Sequence, residues 1–409
     1  MKVVYRILIS LLIIAVVFGL LRWQGLPTSE NLLLEYPNPI RESVAEYVGG
    51  YAREHLTELQ QILYDAAYGV IEEGGDSVSL PIRNFSDYDM EKVLFSILND
   101  RPDFFWVNVS DSSYITDNNG IILTLNLTAS GEQLKTMRSN FDAEVKRITA
   151  FMNEQQLPNE YEKAVFLHDY IASNCSYDKS QQLPNIHNAS GVLISKSGVC
   201  DGYAYAYSVL LREIGIESYY VPGTVNGPDG VQGHAWVVAN LDGIYSHIDP
   251  TWDDIDNEMF EGYDVGSDVV SHTYFGLSDD EIGRTHTVEP RINYPLPVAT
   301  TNGWFSYFGL AGERTDSVAD NASKMLISNI EKSTPYVEVK LSDRDAFYDL
   351  PENYEEGVGR LIERGNEMLE EEGIEERLSE RSAFLVTSAE DGCVLLLFEI
   401  ASETSELDD

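Results

Sequence analysis

Apolar positions recur at helical spacing through the first third of the chain and are interrupted by shorter alternating runs. Alternation of apolar and polar residues is typical of half-buried strands, whereas a repeat of three to four residues is typical of helices. The pattern predicts helices over 42–73, 88–99 and 132–156, and strands over 104–109 and 121–128. This region is therefore interpreted as a small α+β unit that leads into a long helix.

The central and C-terminal parts of the chain repeat this mixture with shorter elements. In the centre, the pattern predicts helices over 160–174 and from Val199 onward, then strands over 217–225, 234–241 and 243–248. In the last part, it predicts strands over 304–310, 336–341, 383–387 and 393–400, and helices over 317–332 and 355–372. A strong hairpin signal, Asp242-Gly243, joins the last two central strands. The chain as a whole is therefore expected to have an α+β fold.

Breaks between these patterns predict four parts of the chain. Residues 1–25 are a membrane segment, 26–157 an α+β domain with its long connecting helix, 158–290 a central domain, and 291–409 an acidic C-terminal α+β domain. A chain of 409 residues has the length of two or three domains. The predicted architecture is thus a central domain between two smaller α+β flanks.

The N-terminal segment has the features of a membrane anchor. An apolar run covers Ile7–Leu21, with Lys2 and Arg6 before it and Arg22 and Trp23 after it. As a helix it would be about 22 Å long, short of the roughly 30 Å hydrocarbon core, but the arginines at its ends can snorkel. Because no small-x-small cleavage site follows, the segment predicts a single-pass anchor with the rest of the chain outside the cytoplasm. A cleaved signal peptide, which would make the protein secreted, is the alternative.

Charge and cysteine content narrow the classes of partner and chemistry. The chain has 27 basic and 68 acidic residues, a formal net charge of -41. A charge of this sign repels phosphate backbones and anionic lipid, so no nucleic acid partner is expected. An apolar content of 43% is ordinary for a protein with a packed core. Three cysteines, Cys175, Cys200 and Cys393, cannot all pair within one chain, so at least one is a free thiol.

Cys200 is the cysteine whose position favours reactivity. Glycine precedes it in the run Ser-Gly-Val-Cys-Asp-Gly-Tyr-Ala, and helix formers follow, so it falls in the first turn of a helix. Backbone N–H groups and the positive end of the helix dipole favour a thiolate there. Further along, the hairpin at 242–243 folds Asp249 back toward His234. The pattern predicts a thiol, an imidazole and an orienting carboxylate in one place, as nucleophilic catalysis requires.

Three motifs together resemble the transglutaminase-like superfamily, and specifically its bacterial surface-protein branch. They are Ser-Gly-Val-Cys-Asp-Gly-Tyr-Ala at 197–204, Gly-His-Ala-Trp at 233–236 and His-Ile-Asp-Pro-Thr-Trp-Asp at 247–253, flanked by Leu-His-Asp-Tyr-Ile at 167–171 and Tyr-Phe-Gly-Leu-Ser-Asp-Asp-Glu at 274–281. The resemblance implies a papain-like fold for the central domain, with Cys200 as nucleophile, His234 as general base and Asp249 as its orienter. It also implies acyl transfer or hydrolysis at peptide or glutamine carbonyls. The predicted location outside the cytoplasm makes a protein or a cell-wall peptide the expected substrate, and nothing in the sequence implies a cofactor.

The other candidate residues have plainer interpretations. His168 is interpreted as structural, and His247 is expected to face solvent or the core rather than the thiol. Cys175 and Cys393 are interpreted as inert buried thiols. The aromatic residues of the motifs are interpreted as packing residues, with a substrate-channel role as the alternative for the tryptophans; they are Tyr203, Tyr205, Tyr207, Trp236 and Trp252.

No metal site and no oligomeric state are predicted. No second cysteine or histidine lies within two to four residues of Cys200, the spacing that is typical of zinc ligands. The acidic run 253–268 lacks EF-hand spacing and is interpreted as a solvated loop rather than a calcium site. A non-catalytic cell-surface binding or scaffold module with the same fold is the alternative function.

Overall fold

The computed structural model describes residues 50–82, 85–116, 120–180, 183, 185–227, 230–255, 269–289, 293–330, 335–343, 345, 354–388 and 391–400. The predicted membrane segment, 1–25, lies outside these residues. Within them, no helix combines the length and the apolar character that crossing a membrane requires. Contacts divide the chain into two compact units, Met1–Thr136 and Met137–Asp409. The predicted domain boundaries after 25, 157 and 290 stay predictions.

The first unit is a small α+β structure, as the sequence pattern predicts. Its elements are α1 (Tyr51–Glu54), α2 (Glu58–Glu72), β1 (Ser77–Leu80), α3 (Asp87–Asp100), β2 (Val107–Thr116) and β3 (Ile121–Leu127). The three strands form an antiparallel sheet in the order β1-β3-β2, so β3 is central. Apolar side chains of α2, α3 and β3 are buried in this unit, among them Leu63, Val93 and Leu123.

The prediction of one continuous helix over 42–73 is wrong in its described part. Helix α1 ends at Glu54, and Thr57 begins α2 with a capping box: its side chain accepts from the Gln60 N–H, and the Gln60 side chain accepts from the Thr57 N–H. The short α1 is held separately, because the buried Asp100 carboxylate accepts hydrogen bonds from the first helix's backbone. A capping threonine at this position ends one helix and starts another, which the apolar spacing alone does not reveal.

The second unit contains most of the described elements. From the start of the unit to the third strand of its main sheet, the elements are α4 (Gly131–Glu154), α5 (Glu160–Asn174), β4 (Ser176–Tyr177), α6 (Ala189–Leu193), β5 (Ser197–Gly198), α7 (Cys200–Glu213), β6 (Ser218–Gly227), β7 (Gly230–Leu241) and β8 (Ile244–Ile248). The division between the two units falls within α4. Those that follow are β9 (Phe275–Leu277), α8 (Asp279–Ile282), β10 (His286–Val288), α9 (Trp304–Tyr307), β11 (Ala311–Gly312), α10 (Thr315–Ser328), β12 (Tyr336–Leu341), α11 (Tyr354–Glu372), β13 (Leu378–Ser388) and β14 (Cys393–Ile400).

A five-stranded antiparallel sheet, in the order β10-β6-β7-β8-β9, forms the frame of the central region. The predicted hairpin between β7 and β8 is confirmed: Asp242 and Gly243 both have positive φ, at 52° and 89°, as a two-residue turn of this type requires. Helix α7 packs against β6 and β7 of this sheet. Helix α7 therefore lies beside β7, the strand that carries the predicted histidine, His234.

The C-terminal part has a four-stranded sheet in the order β11-β12-β14-β13, with α10 and α11 packed against it. The predicted strands over 336–341 and 393–400 are confirmed, but the strand predicted over 304–310 is wrong, because Trp304–Tyr307 forms the helical turn α9. The aromatic residues of this segment are spaced for one helical turn as well as for a strand. Trp304 is fixed in the helical form by stacking on His272, with ring centroids 4.2 Å apart.

Candidate active site

Cys200 is the first residue of helix α7, as the glycine-to-helix pattern predicts. Its side chain is partly exposed, whereas Cys175 and Cys393 are buried. The N–H groups in the first turn of a helix have no acceptor within the helix and point toward its N-terminal end. The thiol therefore lies where a helix presents partial positive charge and where solvent still reaches it.

The glycine that follows the cysteine is required by close packing. A Cβ atom on Gly202 would lie 2.3 Å from the carbonyl oxygen of Ile186, closer than real Cβ contacts occur. The same carbonyl accepts a hydrogen bond of 3.0 Å from the N–H of Val199. The carbonyl of Ile186 thus contacts the chain on both sides of Cys200: it accepts from Val199 before it and leaves no room for a side chain at position 202 after it. This close approach explains why glycine follows two residues after the cysteine.

Asp201 attaches the start of the helix to the sheet. Its carboxylate accepts a hydrogen bond of 2.7 Å from the Tyr220 hydroxyl on β6 and lies 3.0 Å from His187 Nδ1. The Tyr220 ring is stacked on Tyr205 of the helix, with centroids 4.3 Å apart and planes 4° apart. The tyrosines of α7 are buried, so their interpretation as packing residues is confirmed.

His234 and Asp249 are brought together by the hairpin. Val237 of β7 pairs with Ile248 of β8, so Asp249 follows the end of β8 close to His234 on β7. Asp249 Oδ2 lies 2.6 Å from His234 Nε2, and both residues are buried. Nε2 faces the carboxylate, so Nδ1 is the nitrogen that Asp249 does not engage, and the imidazole also interacts with the Cys200 sulfur.

The ionisation of this pair is strongly coupled. Burial of His234 disfavours the imidazolium, but the charge of Asp249, the hydrogen bond to it and the adjacent Cys200 sulfur outweigh burial and raise the pKa to about 10. Burial also disfavours the ionised Asp249 carboxylate, yet His234 and His286 hold its pKa below the usual range. At neutral pH the pair is therefore an imidazolium and a carboxylate, which places a positive charge beside the Cys200 sulfur.

His286 is a member of the site that sequence reasoning missed. It lies on β10, two strands from His234, and its Nε2 is 3.1 Å from the same Oδ2 of Asp249. The other carboxylate oxygen, Oδ1, accepts from the backbone N–H groups of Thr251 and Trp252 at 3.0 and 3.3 Å. Asp249 thus accepts four hydrogen bonds, which fix its position. A lone histidine in a three-residue strand, 37 residues after Asp249, gives no sequence signal.

Aromatic rings surround the two imidazoles. Trp236 and Trp252 lie 6.2 and 5.7 Å from the His234 ring, measured between centroids. Trp236 also donates a hydrogen bond of 2.9 Å to Nδ1 of His247, whose Nε2 faces Asp279 at 2.8 Å. The prediction that the tryptophans pack around the site is confirmed, and His247 is buried in a structural chain of hydrogen bonds away from the thiol.

The interpretation of 253–268 as a solvated loop is wrong for its first residue. Asp253 is fully buried, and its carboxylate accepts hydrogen bonds of 3.1 and 3.2 Å from the Tyr274 N–H. Burial raises its pKa to about 6 despite the neighbouring His168. Residues 256–268 lie outside the described part of the chain. His168, buried in α5, has the structural surroundings that were predicted for it.

The environments of the three thiols predict very different reactivities. Burial raises the pKa of Cys175 to about 11 and that of Cys393 to about 12. At pH 7 these two thiols have almost no thiolate, so iodoacetamide should alkylate Cys200 faster by at least about 100-fold. Peptide mass spectrometry of the folded protein after timed alkylation measures the three rates, and unfolding in denaturant should make them converge. Equal rates in the folded protein would remove the case for an activated Cys200.

The motifs and the fold agree with a family match. Residues 149–250 match the family described as the transglutaminase-like superfamily. This range includes Cys200, His234 and Asp249. The match supports the resemblance that the motifs around these three residues indicate.

The solved structures that match this chain are distant from it. A candidate cysteine protease from Cytophaga hutchinsonii is 16% identical, with a TM-score of 0.23, and the match covers 34% of this chain and 61% of that one. A protein described as a TGase is 15% identical, with a TM-score of 0.24, and the match covers 43% of this chain and 52% of that one. The chain thus spans between about half and six tenths of these two proteins, and scores this low support no argument about activity. No curated protein sequence matches the chain.

Proposed function

We propose that the protein is a cysteine acyltransferase or hydrolase that forms a thioester through Cys200. The observation that carries this proposal is the 2.6 Å contact between His234 and a fully buried Asp249, on an imidazole that also interacts with the Cys200 sulfur. A thiol at a helix N-terminus beside an imidazole oriented by a carboxylate is the arrangement of nucleophilic thiol catalysis.

The first half-reaction forms the acyl-enzyme. The Cys200 thiolate attacks the carbonyl carbon of a glutamine side chain or a peptide bond, and a C–S bond forms while the oxygen takes the negative charge. The His234 imidazolium then gives its proton to the leaving nitrogen, the C–N bond breaks, and ammonia or an amine departs. His234 is left neutral and Asp249 keeps the ring in the orientation that presents Nδ1 to the reacting atoms.

The second half-reaction resolves the thioester. Neutral His234 takes a proton from water or from an amine, and the oxygen or nitrogen attacks the acyl carbon. The C–S bond breaks and the thiolate of Cys200 is restored beside the imidazolium. Water gives deamidation or proteolysis, whereas an amine gives a cross-link. In the first turn of α7, the N–H of Cys200 is the backbone donor we propose for the oxyanion, because such groups lack an acceptor within the helix.

Tyr177 is an exposed side chain beside this site. Strand β4 pairs with β5 so that Tyr177 lies opposite Gly198, two residues before the nucleophile. Its relative exposure of 39% is large for an aromatic residue. We propose that this ring contacts the acyl substrate, since an aromatic surface held by a strand suits recognition of a peptide side chain.

The proposed reaction can be tested without knowing the natural acceptor. Hydroxylamine attacks a thioester whatever its acyl group, so the full chain incubated with glutamine peptides and hydroxylamine should release hydroxamates. A non-catalytic surface-binding module is the alternative function, and it predicts no hydroxamate above the level of a protein-free control. An intact and hydrogen-bonded His234–Asp249 pair favours the enzyme, because binding alone does not require it.

We propose that the site acts outside the cytoplasmic membrane. The proposal is supported by the apolar run at Ile7–Leu21 and its basic flanks, and it makes surface proteins or cell-wall peptides the substrates. External protease applied to intact cells should then remove the Cys200 domain, while the N-terminal residues stay with the membrane through a carbonate wash. A soluble cytoplasmic product that begins at Met1 would contradict this topology. A secreted product that begins near residue 25 would favour the signal-peptide alternative.

A further inference from the structure

A second group of histidines and carboxylates lies in the same unit, away from Cys200. His168 Nδ1 is 3.0 Å and His272 Nε2 is 2.9 Å from the same oxygen, Oδ1 of Asp169. The three donor atoms all lie within 4.8 Å of one another. In a tetrahedral zinc site, ligand atoms about 2.0–2.1 Å from the metal are separated by about 3.3 Å. Shifts of a few tenths of an ångström would therefore open the two contacts of Asp169 Oδ1 to the spacing of metal ligands.

Each imidazole of this group is backed by a buried carboxylate on its opposite nitrogen. His272 Nδ1 lies 2.6 Å from Glu338 Oε2, and His168 Nε2 lies 3.3 Å from Asp253 Oδ2. Both carboxylates are almost completely buried. Metal-bound histidines are characteristically held in this way, because a carboxylate on the far nitrogen fixes the tautomer and makes the ring a better ligand. The same arrangement occurs on both histidines of the group.

We propose that His168, Asp169 and His272 bind one divalent transition-metal ion, with zinc as the ion that best suits two imidazoles and a carboxylate. Asp169 has 38% of its side chain exposed, so an ion can enter from solvent and a water can complete the coordination. Asp253 and Glu338 do not bind the ion but hold the two histidines. The ion would join α5 to the segment before β9, and Glu338 on strand β12 would hold His272 in place.

This site would also support the position of Asp249. Asp249 and Asp253 stand at the two ends of one turn, and the Asp253 N–H donates to the Asp249 carbonyl at 3.2 Å. The Tyr274 backbone links the same two residues, since its N–H donates to Asp253 Oδ1 and its carbonyl accepts from the Asp249 N–H. A metal that fixes His168 therefore acts on the turn through Asp253. The metal site stands without the proposed reaction, because its evidence is the ligand geometry alone.

The test is metal content and thermal stability of the full chain. Protein loaded with Zn²⁺ and desalted should keep about one equivalent per chain, measured by elemental mass spectrometry, and Zn²⁺ should raise the Tm over chelator-treated protein by about 5–10 °C. Co²⁺ in place of Zn²⁺ should give the visible absorption of a tetrahedral N/O site. Asp169→Asn, which keeps the shape and an accepting oxygen, should lose both the bound metal and the Tm increase.

Two further variants make the result specific. His55→Gln removes an exposed histidine of the first unit and should leave the metal content unchanged. Cys200→Ala should also retain the metal, because the second His-Asp-His group of the described chain, His234 with Asp249 and His286, lies beside Cys200. Metal lost with Cys200→Ala but kept with Asp169→Asn would overturn the proposal, and so would less than about 0.1 equivalent in wild-type protein with a Tm insensitive to Zn²⁺ and chelator.

Discussion

Replacement of Cys200 by alanine should abolish acyl transfer while leaving the fold intact. Loss of a nucleophile from a hydrogen-bonded triad costs about 10⁵-fold or more in turnover. The side chain is small and partly exposed, so its removal creates no large cavity. The hydroxamate assay measures turnover, and the Tm reports folding.

A matched thiol deletion separates chemistry from stability in this experiment. Cys393→Ala removes a buried thiol from β14, at a distance in sequence from every motif of the site. It should lower the Tm but retain turnover in the protein that stays folded. Full turnover by Cys200→Ala on a substrate that the wild type processes would show that another residue is the nucleophile.

Replacement of Asp249 by asparagine should lower turnover by about 10²–10⁴-fold without removing the nucleophile. The carboxylate supplies the charge that raises the pKa of His234 to about 10, and an amide does not. The pKa of His234 should therefore fall toward its ordinary value. Since the reaction requires the imidazolium as proton donor, the alkaline limit of the pH–rate profile should move to lower pH. A loss of turnover with an unchanged alkaline limit would contradict this role for Asp249.

His286→Asn is the control for this experiment. It removes one of the four hydrogen bonds to Asp249 but keeps the carboxylate charge and the 2.6 Å contact to His234. Turnover should fall by only about 10-fold, and the alkaline limit of the pH–rate profile should stay at the same pH as in the wild type. The two variants thus separate the charge of Asp249 from its positioning.

The sequence predicts the parts of the site that depend on local structure. A glycine before a helical run places Cys200 at a helix start, and Asp242-Gly243 strongly favours a tight hairpin that returns Asp249 toward His234. Both inferences depend on neighbouring residues alone. They remain valid whatever the rest of the chain does, which is why the structure reproduces them.

Residues that reach a site through tertiary packing are not predicted in this way. His286 contacts Asp249 because β10 pairs with β6, and the pairing of so short a strand is decided by the rest of the sheet. The sequence around Asp253 predicts the start of an acidic loop. In the structure Asp253 is buried, and its carboxylate accepts a hydrogen bond from the Tyr274 N–H. The spacing rule that argued against zinc considers only near neighbours in sequence. His168 and His272 are far apart along the chain and meet only in the folded unit.

The covalent intermediate is the most direct test of the proposed function. The full chain is incubated briefly with a glutamine-peptide thioester probe, quenched in acid and digested, and the peptide that contains Cys200 is analysed by mass spectrometry. We predict that the acyl group is found on Cys200, that hydroxylamine removes it, and that Cys175 and Cys393 stay unmodified. An acyl group on another residue, or an unmodified Cys200 in protein that retains its native Tm, would contradict the account.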